Sequence, residues 1–206
     1  MNTVVDTRVT NTSRQDLRVW LADMEAAGEI MHVRGADRER EIGGIVDIYQ
    51  RKIGNPALLF DHIPGYPKGY RILANILTSI RRINMTVGNP ADATEIELVR
   101  YWRKYMKDAK TIPPVTVAHG ALLENVKTGD DIDLFAIPVP RWHEHDGGYY
   151  IGTGDMVVMR DPDTGWINYG AYRVQAQARD TATGVIMSAA SLARSPSFAA
   201  CIPRCS

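Results

Sequence analysis

Two runs of alternating residues, Ile151–Arg160 and Trp166–Arg179, flank the segment Asp161-Pro162-Asp163-Thr164-Gly165. Period-2 alternation marks half-buried strands, and a Pro- and Gly-containing link of this length is a turn, so the pair predicts a long antiparallel hairpin. A second turn is predicted over Asp180–Gly184 and a further strand over Val185–Ser188, with Val115–Val117 as a strand just past the double proline Pro113-Pro114. Long strands joined by tight turns make a meander, one half of a barrel or sandwich, with a face able to hold a flat ligand.

Before Pro113 the chain alternates helices and strands. Ser13 reads as an N-cap, with Asp16 at the capping-box position, and Leu17, Trp20, Leu21 and Met24 recur at helical spacing up to Gly28. A strand over Glu29–Val33 and a helix over Glu41–Ile53, stopped by Gly54, follow. Ala57–Phe60 has the compact apolar character of a buried strand, and Ile72–Ala74 is a candidate for another. Helices are predicted over Ser79–Val87 and Ala93–Met106. The reading is α+β: a leader over 1–12, an N-terminal α/β domain over 13–112, part of a β-barrel over 113–188 and an atypical tail over 189–206.

Lys plus Arg and Asp plus Glu both number 24, giving a formal net charge of zero, which argues against a nucleic-acid-binding surface; Arg81-Arg82 is too short to make one. The N-terminal residues lack the apolar core of a signal peptide and no run approaches a membrane span, so a cytoplasmic location is expected. Cys201 and Cys205 read as incidental thiols. Residues 188–206 carry only Arg194 and Arg204 as charges and sustain no periodicity. An out-of-frame reading of a GC-rich gene is the preferred account, with a natural flexible tail as the alternative.

Three groups of residues could carry chemistry. On a strand, His143 and His145 would share a face and could reach one metal ion, but two ligands do not close a site. A hydrogen-bonding or turn role before Gly147-Gly148 is preferred, with a solvated surface as the third possibility. Gly152-Thr153-Gly154 lacks the following helix of a dinucleotide loop and reads instead as a bulge or a close approach of backbone to ligand. In the second long strand Asn168, Gly170 and Tyr172 alternate with Ile167, Tyr169, Ala171 and Arg173. Asn168 can offer a carboxamide oxygen to a hard cation, and Arg173 can grip a carboxylate or phosphate in a two-pronged fork.

Taken together, LRVWLADMEAAGE (17–29), PALLF (56–60), Pro138-Val139-Pro140, HEHDGGYYIGT (143–153) and DPDTGWINYGAYR (161–173) resemble the UbiD family, in order and in spacing. Its members are reversible decarboxylases of aromatic and α,β-unsaturated acids that use prenylated FMN as the covalent catalyst. The resemblance covers residues 14 to about 188. It implies an N-terminal α/β domain, then a split β-barrel like that of flavin reductases, then a C-terminal domain often used for oligomerisation. By motif position Asn168 corresponds to the Asn ligand of a divalent metal, usually Mn²⁺, and the carbonyl of Trp166 to a contact of a monovalent cation, K⁺. Ala171, Tyr172 and Arg173 correspond to the segment lining the cofactor. Arg173 also corresponds to the arginine that faces the substrate carboxylate and joins two acidic residues in catalysis.

The sequence departs from the family where a His should supply the second metal ligand: Ser188-Ala189-Ala190-Ser191 stands there, and no histidine follows His145. The acidic ligand and the catalytic acids are expected beyond Ser206. The resemblance therefore implies a UbiD-type carboxy-lyase of a small carboxylic acid, oligomeric in its full form, of which this chain is an incomplete part. Two alternatives stay open: a non-catalytic fragment or interaction module that needs a complementing chain, and a metal hydrolase built on His143 and His145.

Overall fold

The computed structural model describes residues 16–110, 118 and 123–185, which divide into two compact units. The first takes the residues up to Asp37 together with Glu41–Val126; the second takes Arg38–Arg40 together with the residues from Lys127 onward. The expected α+β class is observed, as one small sheet in each unit.

In the first unit, helix α1 (Leu17–Ala26) starts at Asp16, whose carboxylate accepts from the Arg18 N–H at 2.7 Å. Asp16 is thus the cap itself, rather than the partner of a cap at Ser13, which lies outside the described residues. Gly28, at φ 71°, ends the helix as predicted, in a left-handed conformation that a side chain would strain. Strands β1 (Ile30–Arg34) and β2 (Ala57–Asp61) pair in parallel, with helix α2 (Glu41–Gln50) between them in sequence; β3 (Ile72–Ala74) pairs antiparallel on the far side of β2. The central strand is Ala57, Leu58, Leu59 and Phe60, every one buried, which explains an apolar run without alternation.

Helix α3 (Ile80–Val87) brings a fully buried Arg82 into this core. Its guanidinium donates to the Glu29 carboxylate at 3.0 Å, to the carbonyls of Asn55, Asn75 and Ile76, to the Asn55 side chain and to the Thr78 hydroxyl. A buried charge is tolerated only when neutralised and hydrogen-bonded in this way. Helix α4 (Glu95–Asp108) begins with a capping box between Thr94 and Glu97.

The second unit is built on an antiparallel sheet in the order β4 (Tyr149–Arg160), β5 (Ile167–Ala176), β6 (Ala182–Val185). The turn between β4 and β5 is where the sequence put it. Asp161 Oδ1 accepts from the N–H groups of Asp163 and Thr164, and Gly165 takes φ 70°. The next turn differs: β5 stops at Ala176, the connection is 177–181, and residues 182–184, read from the sequence as turn, join Val185, read as strand, in pairing with Arg173–Ala176. Thr and Gly residues there give no strand signal of their own; the ladder supplies it. Arg38–Arg40 packs within this unit, where the Arg141 N–H donates to the Arg38 carbonyl. The strand predicted at 115–117, the 1–12 leader and the 189–206 tail lie outside the described residues.

Candidate functional site on the antiparallel sheet

Along β5 burial alternates with period 2: Asn168, Gly170, Tyr172 and Val174 are half-buried, while Ile167, Tyr169, Ala171 and Arg173 are exposed. The five residues singled out from the sequence therefore lie on one strand and its entry, on two faces. Asn168 and Tyr172 take the sheltered face. Ala171 and Arg173 take the open one. Trp166, 63% exposed, stands at the mouth of the turn, where its carbonyl accepts the Asp161 N–H at 2.8 Å.

One place makes both faces reachable. Among the described residues β6 pairs only with Arg173–Ala176, so Ile167–Tyr172 has β4 along one edge and no strand along the other. Neither the Asn168 carboxamide nor the Arg173 guanidinium bonds to a described residue. The Tyr172 phenol folds back along the strand, so that a Cβ on Gly170 would lie 2.8 Å from its Cε2. Glycine at 170 is what lets the ring lie down on the sheet.

Opposite this strip, β4 is irregular. Tyr150 pairs with Gln175, Gly152 with Val174 and Asp155 with Tyr172, so two register shifts put extra residues into β4. The bulge expected at Gly152-Thr153-Gly154 is one of them. Residues three apart face opposite ways in a regular strand; the bulge brings Asp155 onto the side of Gly152. A Cβ at Gly152 would overlap the Asp155 carboxylate. Asp155 Oδ2 is buried without a hydrogen-bond partner among the described residues, and burial raises the pKa of this carboxyl above the ordinary carboxylate value. The sequence reading passed over Asp155; its one signal was an acidic residue between a Gly-rich bulge and the apolar run Met156–Met159.

The two histidines are not on a strand. Residues 143–146 form a turn in which Asp146 Oδ2 accepts from the N–H groups of Trp142 and His143, at 3.1 and 2.9 Å. The face that would have aimed both imidazoles at one ion is therefore not formed. Among the described residues no group of three or more His, Cys, Asp or Glu side chains could hold a metal. The described residues do not by themselves complete a site for Mn²⁺ or K⁺ either, since Asn168 offers a single oxygen and the Trp166 carbonyl, which already accepts the Asp161 N–H, at most one more. A flavin fits them better. The sheltered face offers a flattened aromatic ring, an unengaged carboxamide and an orphaned acceptor, beside an arginine on the open face.

Comparison with known proteins bears on the same segment. Residues 21–102 match the 3-octaprenyl-4-hydroxybenzoate carboxy-lyase N-terminal domain of UbiD, and residues 114–195 match the Rift-related domain of the same family. A pyrrole-2-carboxylic acid decarboxylase of Pseudomonas aeruginosa is 31% identical over 84% of this chain and 36% of its own length. The vanillic acid decarboxylase of Sedimentibacter hydroxybenzoicus, in open form, superposes with a TM-score of 0.73 at 27% identity, over 86% of this chain and 38% of that one. An evolved dimeric form of the UbiD-class enzyme HmfF from Pelotomaculum thermopropionicum, in complex with prFMN, gives a TM-score of 0.67 at 25% identity, over 83% of this chain and 38% of that one. The chain thus spans little more than a third of the length of these proteins. No helix among the described residues is long and apolar enough to cross a membrane. With both of its matched domains those of one carboxy-lyase, the chain belongs to the UbiD family.

Proposed function

We infer that this chain contributes the N-terminal domain and part of the cofactor-holding domain of a UbiD-type decarboxylase, acting on an aromatic or heteroaromatic carboxylic acid with prenylated FMN. The observation that carries this reading is the strip on β5 within the matched Rift-related domain: among the described residues Asn168 and Tyr172 lie where no strand covers the outer edge, Arg173 follows where β6 begins to pair, and neither the Asn168 carboxamide nor the Arg173 guanidinium is engaged. The pyrrole-2-carboxylic acid and vanillic acid activities of the relatives support the substrate class.

When bound, the flavin supplies the covalent chemistry of carbon dioxide loss. The protein's part is binding and orientation. The Tyr172 ring, flattened over Gly170, offers a surface for a planar ligand, and the Asn168 carboxamide offers a donor and an acceptor at its margin. Arg173 meets the substrate carboxylate with two parallel N–H groups. Loss of carbon dioxide removes the anion this fork holds, so the product is gripped less tightly than the substrate. The proton that replaces the carboxylate is not assigned to any described residue. Mn²⁺ and K⁺ belong to the reading only with ligands beyond Asn168 and Trp166, and no step is assigned to them. Residues 13–112 and 113–188 remain our domain division, and the oligomeric full form and the incompleteness of the chain remain part of the proposal.

Co-expression with a prenyl-flavin synthase, followed by anaerobic purification, an absorbance scan and intact mass, tests it. Bound prenylated FMN supports the reading; a colourless protein from cells that load a control UbiD enzyme overturns it for this chain. A non-catalytic interaction role is the second reading, favoured by the exposed apolar row Met156, Val158, Ile167 and Tyr169 on the open face of the hairpin. Self-association of the cofactor-free chain that Val158→Lys abolishes would support that role.

A further inference from the structure

Asp155 is acidic, half-buried and committed to no described residue. A carboxylate oxygen shut away from water without a donor is a cost, and a bound ligand that supplies the missing donor is one way a folded protein offsets it. The arrangement around it is built rather than incidental. Residues 152–155 of β4 oppose only Val174–Tyr172 of β5, and the resulting bulge lays the carboxylate over a position where only glycine leaves room. Asp155 pairs across the ladder with Tyr172, on the side of the sheet that also carries Gly170 and Asn168. The raised pKa of the carboxyl agrees with its being poorly solvated.

We propose that Asp155 is a ligand-contacting residue whose Oδ2 accepts a hydrogen bond from an O–H or N–H of the bound flavin. The inference rests on the flavin reading above and adds a residue to it. The ligand chemistry follows from the neighbours. Tyr172 presents a ring to something flat, Asn168 presents a carboxamide to something polar, and Asp155 lacks only a donor. The ribityl hydroxyls and the pyrimidine N–H of a flavin are donors attached to a planar ring system. Asp155 thereby contributes to holding and orienting the cofactor, and no proton transfer is assigned to it.

The test uses the full chain and free FMN, titrated by quenching of flavin fluorescence, with thermal melts of each protein alone. Asp155→Asn keeps the size of the side chain, and Asp155→Ala removes its polar atoms. Asp163→Asn, at the exposed hairpin turn, is the control. Both Asp155 variants are expected to bind FMN about tenfold or more weakly. Asp155→Ala is expected to melt no lower than wild type, because it removes an unsatisfied buried group. The control is expected to match wild type in both measurements. Equal FMN affinity in wild type and both variants overturns the proposal. A loss of affinity matched by lower melting of both Asp155 variants also overturns it, because that pattern marks a structural role. If the wild-type chain binds no FMN, the flavin reading falls and takes this inference with it.

Discussion

Arg38 lays its guanidinium over the ring of Tyr149, 4.4 Å from the centroid, while the Tyr149 hydroxyl donates to the Glu39 carboxylate at 3.0 Å. Two adjacent residues from the first quarter of the chain thus hold the first residue of β4 by its face and by its tip. The Phe135 ring meets Tyr149 edge-on at 5.5 Å, completing a small aromatic cluster. Cation–π and charge-assisted hydrogen bonds of this kind contribute about 0.5–2 kcal/mol each. Arg38→Ala and Tyr149→Phe are each expected to lower the stability of the second unit by about 1 kcal/mol in urea titrations, and the double variant by less than the sum. Burial first, and then the hydrogen bond to Glu39, raise the Tyr149 pKa above its ordinary 10.0. A raised folded-state value means that the contribution is complete below pH 10 and is lost as pH rises beyond it, so Tyr149→Phe and wild type should converge in strong alkali.

Arg82 is fully buried and pairs with a part-buried Glu29, whose other carboxylate oxygen meets the more exposed Arg81. Removing the guanidinium leaves the carbonyls of Asn55, Asn75 and Ile76 without their donor at once, and leaves Glu29 with Arg81 as its remaining partner. Arg82→Ala should cost about 3–5 kcal/mol, enough to unfold the first unit in a thermal melt. Arg82→Lys should recover little of this, because one ammonium cannot reach acceptors arranged around a planar fork.

Gly152→Ala should be destabilising by about 1–2 kcal/mol, because the new methyl group needs the space taken by the Asp155 carboxylate. The same substitution made in an Asp155→Ala background should cost markedly less. A double-mutant cycle by chemical denaturation reads the difference; additive effects would mean that the crowding is relieved without cost.

Asp16 is held at a pKa of about 2, below its ordinary 3.8, first by the side-chain hydrogen bond from Arg18 and then by the Arg18 backbone N–H. A depressed folded-state value contributes stability above about pH 4, which is lost as pH falls toward 2. Carboxyl chemical shifts followed against pH should place the Asp16 midpoint near 2, and Arg18→Ala should move it upward.

How much could be read from the sequence varied with the kind of interaction that decides each element. Ala57–Phe60 and the Asp161–Gly165 turn were legible because their cause is local: a continuous apolar run in one case, Asx chemistry with a glycine in the other. The faces of β5 were legible from period 2 alone, so that Asn168 and Arg173 could be set on opposite sides before any coordinates. Residues 182–184 were misread because the ladder with Val174–Ala176, not their own side chains, makes them a strand. The parallel pairing of β1 with β2 follows from the strand–helix–strand order, whereas its register and the antiparallel addition of β3 have no local signal. The clasp of Arg38 and Glu39 on Tyr149 joins residues 110 or more positions apart, which no local pattern encodes. The Thr94–Glu97 capping box was legible, yet the helix was begun two residues early, at Ala93, so the box went unread. Asp155 was missed because its significance depends on a register that appears only once β4 and β5 are paired.

From Tyr149 to Arg160 β4 advances eleven steps while its partners, Ala176 to Ile167, advance nine. The surplus is slack, gathered into residues 150–155 and absent from the rest of the ladder. A chain lacking Thr153 could therefore keep Gly152 against Val174 and the aspartate against Tyr172, with every side chain on its present side. Such a deletion would be silent in topology, but it would straighten the bend that turns the carboxylate onto the glycine. The hairpin can thus be shortened here without disturbing its fold, and the feature lost would be the close approach of the Asp155 carboxylate to Gly152 that the spare residue makes.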